Sequence, residues 1–210
     1  MVSGCHLPRI VDHAGGQVLR AIIPPLGTGD RPEIDRAVLR ALLLAPLPAG
    51  TVQWDCRVEA VIVSSHGGHS LRLPDRIVGP FDLVVGADGA WSRVRAALTH
   101  VRPAYTDVTV VEMWLSDVDA RHPAIGGLVG HGSLFALHNG AGLFAQRNAG
   151  GMIRIYAAFH MRAEDTDRPD EALAGLAVTA LLDRFPGWSP DLLALMTRAD
   201  RIAATLPRIC

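Results

Sequence analysis

The stretch FDLVVGADGAWSRVRAAL, residues 81–98, constrains the fold more than any other part of the chain. FDLVV reads as a short strand buried on both faces, as the strands of a parallel sheet are. GADGA reads as a turn, and Ser92 as the cap of a helix running through Val94, Arg95 and Leu98. Strand, glycine-rich turn and helix in that order form the working unit of an open α/β sheet. The turn sets Asp88 and a group of backbone N–H donors at the carboxyl end of the strand, where such sheets bind ligands. An Asp-Gly turn ahead of a helix also occurs with no ligand to hold, and both readings stand on these residues alone.

The surroundings sort into alternating elements. GQVLRAII (16–23) reads as extended, and HAGG before it as a turn. Asp35 reads as the N-cap of RAVLRALLLA, whose Val38, Leu39, Leu42 and Leu43 fall at helical spacing, with Pro46 and Pro48 ending it. TVQWDCRVEAVIVSS and HSLRLPD read as strands joined by the glycine turn SSHGGHS, whose His66 and His69 are more simply a hairpin end than a metal site. From about residue 104 the texture becomes strands: TDVTVVEMWL, SLFALH, GLFAQR and MIRIYAAFHM, with Asn139-Gly140 and NAGG as hairpin signals. Helices over roughly 169–185 and 190–199 follow, the second capped by Ser189 with Pro190 at its first position, and DRIAATLPRIC reads as the start of a strand. Residues 140–145, GAGLFA, match the dinucleotide pattern G-x-G-x-x-A, but strand and turn follow them instead of a helix, so they read as a hairpin.

Composition narrows the functions. The 210 residues carry 20 basic and 21 acidic side chains, a balance unlike that of a phosphate-backbone binder, so no nucleic-acid partner is expected. Every basic residue is Arg, which removes Schiff-base and P-loop lysine chemistry. No apolar run approaches the roughly 18 residues of a membrane span. The opening MVSGCHLPRI lacks the apolar core of a secretion signal, so a cytoplasmic location is expected. Cys5, Cys56 and Cys210 are too scattered for a metal or redox pair and read as incidental thiols.

The string from Asp82 to Arg95, D-L-V-V-G-A-D-G-x-x-S-x-V-R, resembles the Asp-Gly motif of the FAD-dependent aromatic hydroxylases, the family of para-hydroxybenzoate hydroxylase. PEIDRAVLRALLL (32–44) resembles the helix that precedes that motif in the family. Within the family, a resemblance to the tetracycline-inactivating monooxygenases runs through DHAGGQVLR, PEIDR, the Asp-Gly motif, LFALHNGAGLFAQ and FPGW. The resemblance implies that Asp88 and Gly89 lie at the FAD and the nicotinamide cofactor. It implies that Arg36 reaches the FAD, and that the backbone near Val58 runs along the adenosine. A guanidinium in a helix first turn suits a phosphate or flavin edge, and it is also an ordinary surface arginine. Asn139 and Arg154 fall where substrate-facing polar side chains sit. In MIRIYAAFHM, Arg154, Tyr156 and His160 share one face, and Ile153, Ile155, Ala157 and Phe159 the other, so the polar face lines a pocket or is simply solvated.

The implied fold is α/β, a partial Rossmann-like FAD-binding domain plus a mixed β-sheet substrate domain. Residues 1–27 are substrate-side strands and turn, 28–100 part of the FAD-binding domain, 101–163 the substrate-domain sheet, and 164–210 helices and a return strand. The implied activity is a monooxygenase using FAD, NAD(P)H and O2 on an aromatic or polyketide-like small molecule, with no catalytic acid, base or metal demanded of the protein. The family's opening G-x-G-x-x-G and closing G-D motifs are not found in these residues, so the chain is expected to cover the middle of such an enzyme. Two other readings stand beside it: an inactive or partner-binding remnant, and a flavin oxidoreductase that does not hydroxylate.

Overall fold

The computed structural model describes residues 9–20, 34–64, 67–162 and 178–209. The fold is α/β, and the chain divides into two compact units, one drawn from 1–40 and 107–208 and the other from 41–106 with 209–210.

The first unit is built on a seven-stranded sheet of β1 (Arg9–Val11), β2 (Gln17–Arg20), β6 (Tyr105–Leu115), β7 (Ser133–His138), β8 (Ala141–Asn148), β9 (Met152–His160) and β10 (Arg201–Ile209). The order is β10-β6-β9-β8-β7-β1-β2. It is mixed: β1 runs parallel to β7, while β6, β9, β8 and β7 pair antiparallel. The expected strands of 106–161 are all present. Asn139 and Gly140, at φ 46° and 75°, make the two-residue β7–β8 turn, whose left-handed backbone those two residue types tolerate. GAGLFA lies in that turn and in β8, a hairpin as its sequence implies.

Alternation along these strands puts the core on one side of the sheet. Val111, Met113, Leu115, Leu134, Ala136, Leu143, Ala145, Ile153, Ile155 and Ala157 are buried together with Phe185, Trp188, Leu192, Leu195 and Met196. Helices α3 (Val118–Arg121), α4 (Pro123–Val129), α5 (Val178–Leu182) and α6 (Pro190–Thr197) belong to this unit. The Ser189 hydroxyl accepts from Leu192 N–H at 3.3 Å with Pro190 at the first helical position, as its sequence implies. Of the helix expected over roughly 169–185, residues 169–177 lie outside the described residues and 178–182 are helical. Helices α3 and α4 have no counterpart in the sequence reading.

The second unit holds β3 (Ala60–Val63), β4 (His69–Arg72) and β5 (Ile77–Phe81), an antiparallel sheet in that order, and α2 (Arg93–Leu98). Its only buried apolar side chain among the described residues is Leu73. Two expectations are corrected here. FDLVV is not a strand beyond Phe81, and Leu83 and Val85 are 75% and 76% exposed. A doubly buried strand needs hydrogen-bonding neighbours on both edges, and no described residue pairs with 82–85. Val58 also lies outside a strand: the run from Thr51 becomes extended and paired only at Ala60, after one Glu59 N–H bond to the Arg72 carbonyl.

Helix α1 (Arg36–Leu44) forms as its spacing implies, and the boundary between the units falls within it. Asp35 caps it, accepting from Ala37 N–H at 2.8 Å. Its apolar stripe of Val38, Leu39, Leu42 and Leu43 is exposed.

Candidate functional site

The face of the large sheet opposite its core carries a different chemistry, laid out in rows by the register. One row runs Ser133, Gln146, Arg154, Trp114; the next runs Phe135, Phe144, Tyr156, Glu112; a third runs Leu137, Gly142, Ala158, Val110. The side chains of the first two rows are half-buried, unlike the core face, where Ile153, Ile155 and Ala157 are fully buried. Phe135 and Phe144 meet edge to face with centroids 5.6 Å apart.

One cavity opens on this face and a second at its edge, by the β7–β8 turn. One of about 340 Å³ is walled by Val110, Ser133, Phe135, Phe144, Ala145, Gln146 and Tyr156. The other, of about 430 Å³, lies at the β7–β8 turn and is lined by Leu137, Gly142, Phe144 and Ala158 of this face, by Asn139 of the turn, and by Ala141 and Phe159 of the core face. Phe144 borders both. Gly142 keeps the second open, since a Cβ there would stand 2.8 Å from a Leu137 methyl and 3.0 Å from the Phe144 ring. Such apolar hollows with a few polar groups are the usual form of a small-molecule site.

Of the expected substrate residues, Asn139 lines the larger cavity from an exposed position in the turn, and Arg154 lines neither. Arg154 is held by its neighbours. Its guanidinium carbon stands 4.2 Å from the Trp114 ring centroid. Its Nε is 3.2 Å from Glu112 Oε1, and its Nη1 donates to the Tyr156 hydroxyl at 3.2 Å. The Nε is buried, and its approach to Glu112 is an ion pair without a directed hydrogen bond.

In the second unit the Asp-Gly turn is built around its own carboxylate. The Ser92 hydroxyl donates to Asp88 Oδ1 and the Arg93 N–H to Oδ2, both at 2.6 Å. These two bonds, the hydroxyl's first, hold the Asp88 carboxyl below the ordinary carboxylate range. The Ser92 hydroxyl accepts in turn from Arg95 N–H at 2.9 Å, capping α2 as its sequence implies. A side chain of Arg95 closes the turn from the other side by donating to the Ala90 carbonyl. Gly89 takes φ 77° with open space where a Cβ would be. Arg36 stands exposed at the start of α1, paired with none of the described residues. Val58 is half-buried. Among the described residues no cluster of three His, Cys, Asp or Glu could hold a metal, and no helix is long and apolar enough to cross a membrane.

No family model matches the chain. Curated relatives do. The chain is 32% identical over 191 residues to the monooxygenase penA of Penicillium thymicola, covering 82% of this chain and 44% of that one. It is 32% identical over 148 residues to the monooxygenase asqM of Emericella nidulans, 65% of this chain and 33% of that one. Among solved structures, Klebsiella pneumoniae HpxO complexed with FAD and uric acid superposes with a TM-score of 0.77 at 18% identity, over 100% of this chain and 53% of the other. A salicylate hydroxylase substrate complex gives 0.71 at 19%, over 99% and 52%. The chain is thus similar in sequence to curated monooxygenases and shares its fold with FAD-containing hydroxylases of known structure. The tetracycline destructase Tet(51) shares the fold at 0.56 and 18%, over 100% and 52%, with a lower score than the other two. The chain spans less than half the length of the curated relatives it matches.

FAD, the group this hydroxylase fold implies, meets suitable chemistry in the residues present. Arg36 offers a guanidinium paired with none of the described residues for a phosphate or flavin edge, and Gly89 an open turn that a backbone-contacting group can approach. Asp88 has both carboxylate oxygens engaged inside the turn, so its fit to a cofactor is through the turn it shapes. The sequence reading missed Ser133, Phe135, Phe144 and Gln146 as cavity walls. Their signal was the alternation of SLFALH and GLFAQR, which puts Ser133 and Phe135 on one face of β7 and Phe144 and Gln146 on one face of β8.

Proposed function

We propose that this chain works as, or within, an FAD-dependent monooxygenase that uses NAD(P)H and O2 to hydroxylate an aromatic or polyketide-like small molecule. The observation that carries the proposal is the two-sided sheet, with a packed core on one face and an apolar, aromatic-walled cavity on the other. The names of penA and asqM and the FAD and uric acid in HpxO support it.

Bound FAD supplies the redox chemistry, accepting reducing equivalents from NAD(P)H and activating O2, so the reaction needs no protein acid, base or metal. What remains for the chain is binding, orientation and exclusion of water. Arg36 would hold the cofactor by charge, the backbone at Gly89 and near Val58 would contact it, and Asp88 fixes the turn that presents Gly89. Residues within 28–100 serve the flavin, and the open face of the large sheet serves the substrate. There Phe135 and Phe144 receive a flat ring, and Asn139 and Arg154 belong to its polar surroundings. Walls of this kind keep bulk water from the reacting atoms. The substrate is a free small molecule, and the location is cytoplasmic.

The test is 18O2 labelling of products formed from phenolic and polyketide candidates with the protein, FAD and NAD(P)H. One labelled oxygen per product molecule is the expected result. NAD(P)H consumed with peroxide as the only product across the panel would favour a flavin oxidoreductase that does not hydroxylate, and no consumption an inactive chain.

A further inference from the structure

The contacts of Arg154 point past Arg154 itself. It is absent from the walls of the 340 Å³ cavity, whereas Tyr156, two residues along the same strand face, is one of them. A phenol oxygen both donates one hydrogen and accepts. Here it accepts from Arg154 Nη1 at 3.2 Å, and its own hydrogen is given to no described residue. The geometry points to a specific division of labour: Tyr156 is the group that recognises the substrate, donating its hydroxyl hydrogen to a carbonyl oxygen on a flat aromatic ligand. Arg154 is a positioning residue that turns the phenol to do so. This rests on the reading that the open face takes the substrate, and it adds the substrate's chemical class.

Charge selects that class. The Arg154 cation faces the Glu112 carboxylate at 3.2 Å and stacks on Trp114 at 4.2 Å, so its charge is countered before the cavity is reached. Arg201, 6.0 Å from the same Trp114 ring, is exposed and lines neither cavity. None of Val110, Ser133, Phe135, Phe144, Ala145 and Gln146, which complete the wall, is a cation. A carboxylate ligand would give up its water with no net positive charge to receive it, while an uncharged aryl ketone, lactone or lactam needs one donor, and Tyr156 supplies it.

The experiment compares coumarin with naphthalene, two bicyclic rings of which only the first has a carbonyl, binding to the whole chain by ligand-observed NMR titration. The wild-type protein is expected to prefer coumarin by about tenfold, the size of one net hydrogen bond. Tyr156→Phe should bring the ratio to about one and leave naphthalene affinity unchanged. Arg154→Met, which keeps a long side chain over Trp114, should lower the ratio in the same way, and Arg154→Lys should restore part of it. A ratio unchanged in Tyr156→Phe, or naphthalene affinity falling in parallel in Arg154→Met, would overturn the assignment. Neither probe binding while FAD is still taken up would overturn it too and leave the flavin reading in place. A Tyr156-dependent preference with no FAD uptake would support the carbonyl site and count against the hydroxylase.

Discussion

At Gly86 a Cβ would stand 2.7 Å from the Cβ of Val94, so the backbone before the Asp-Gly turn and the helix after it touch through a glycine. Gly86→Ala is therefore expected to destabilise this packing by about 1–3 kcal/mol, the usual cost of overpacking. Nearby, Ser92 both caps α2 and donates to Asp88. Ser92→Ala should remove both bonds and speed hydrogen exchange at the Arg95 amide by about fivefold, as the loss of a cap worth about 1 kcal/mol implies. An unchanged rate would mean that the Ser92 hydroxyl does not hold this helix. Asn139 is a third case in which a backbone reason competes with a chemical one. Its φ of 46° already explains an asparagine in the turn, so Asn139→Gly preserves the hairpin and isolates the side chain. If Asn139 meets the substrate, that variant binds substrate more weakly with its melting temperature nearly unchanged; equal binding would assign Asn139 to the turn alone.

Among the elements, the strands of the large sheet were legible because their alternation is strict. Ile153, Ile155, Ala157 and Phe159 are buried and Arg154 and Tyr156 half-buried, as period two demands. Ile155→Ala should then destabilise the first unit by about 2–5 kcal/mol in urea unfolding, far more than Tyr156→Phe on the facing side. Helix α4 was illegible because its stability is tertiary. HPAIGGLVG carries a proline and three glycines, yet Arg147 braces it from β8, donating from Nε to the Gly130 carbonyl at 2.7 Å while pairing with Asp119 of α3 at 2.8 Å. FDLVV failed for the opposite reason: its apolar residues suit a central strand, but composition cannot say whether partner strands are there. The end of β6 offers a pH test. The Arg121 guanidinium, with the Ser116 N–H, pulls the Asp200 carboxyl down to about 2. A depressed carboxylate stabilises the fold fully above its unfolded value of about 3.9 and loses that contribution as pH falls toward 2. Asp200→Asn should lower the melting temperature at pH 6 and shrink the gap between variant and wild type below pH 3; a gap independent of pH would contradict the pairing.

Taken separately, one unit is well packed and the other has almost no core of its own among its described residues. Residues 107–162 contribute most of the buried side chains, while Leu83, Val85, Trp91 and Leu98 in the other unit are exposed. Limited proteolysis should cut first between 82 and 91 and leave the β6–β9 sheet intact, because opening costs least where few apolar contacts must break. Equal resistance in the two units would contradict this picture. The site was legible in part. The Asp-Gly motif and the helix cap at Asp35 could be read as local patterns. The cavities could not, since they arise from strands whose register brings Ser133, Gln146, Phe144 and Tyr156 together across the sheet. Whether the chain serves a flavin enzyme is decided by a fluorescence titration of FAD with the purified protein. The expected result is saturable quenching at one FAD per chain, weakened about tenfold or more by Arg36→Ala through loss of a charge-assisted contact. Flavin fluorescence that never saturates, or that saturates equally in Arg36→Ala, would contradict it.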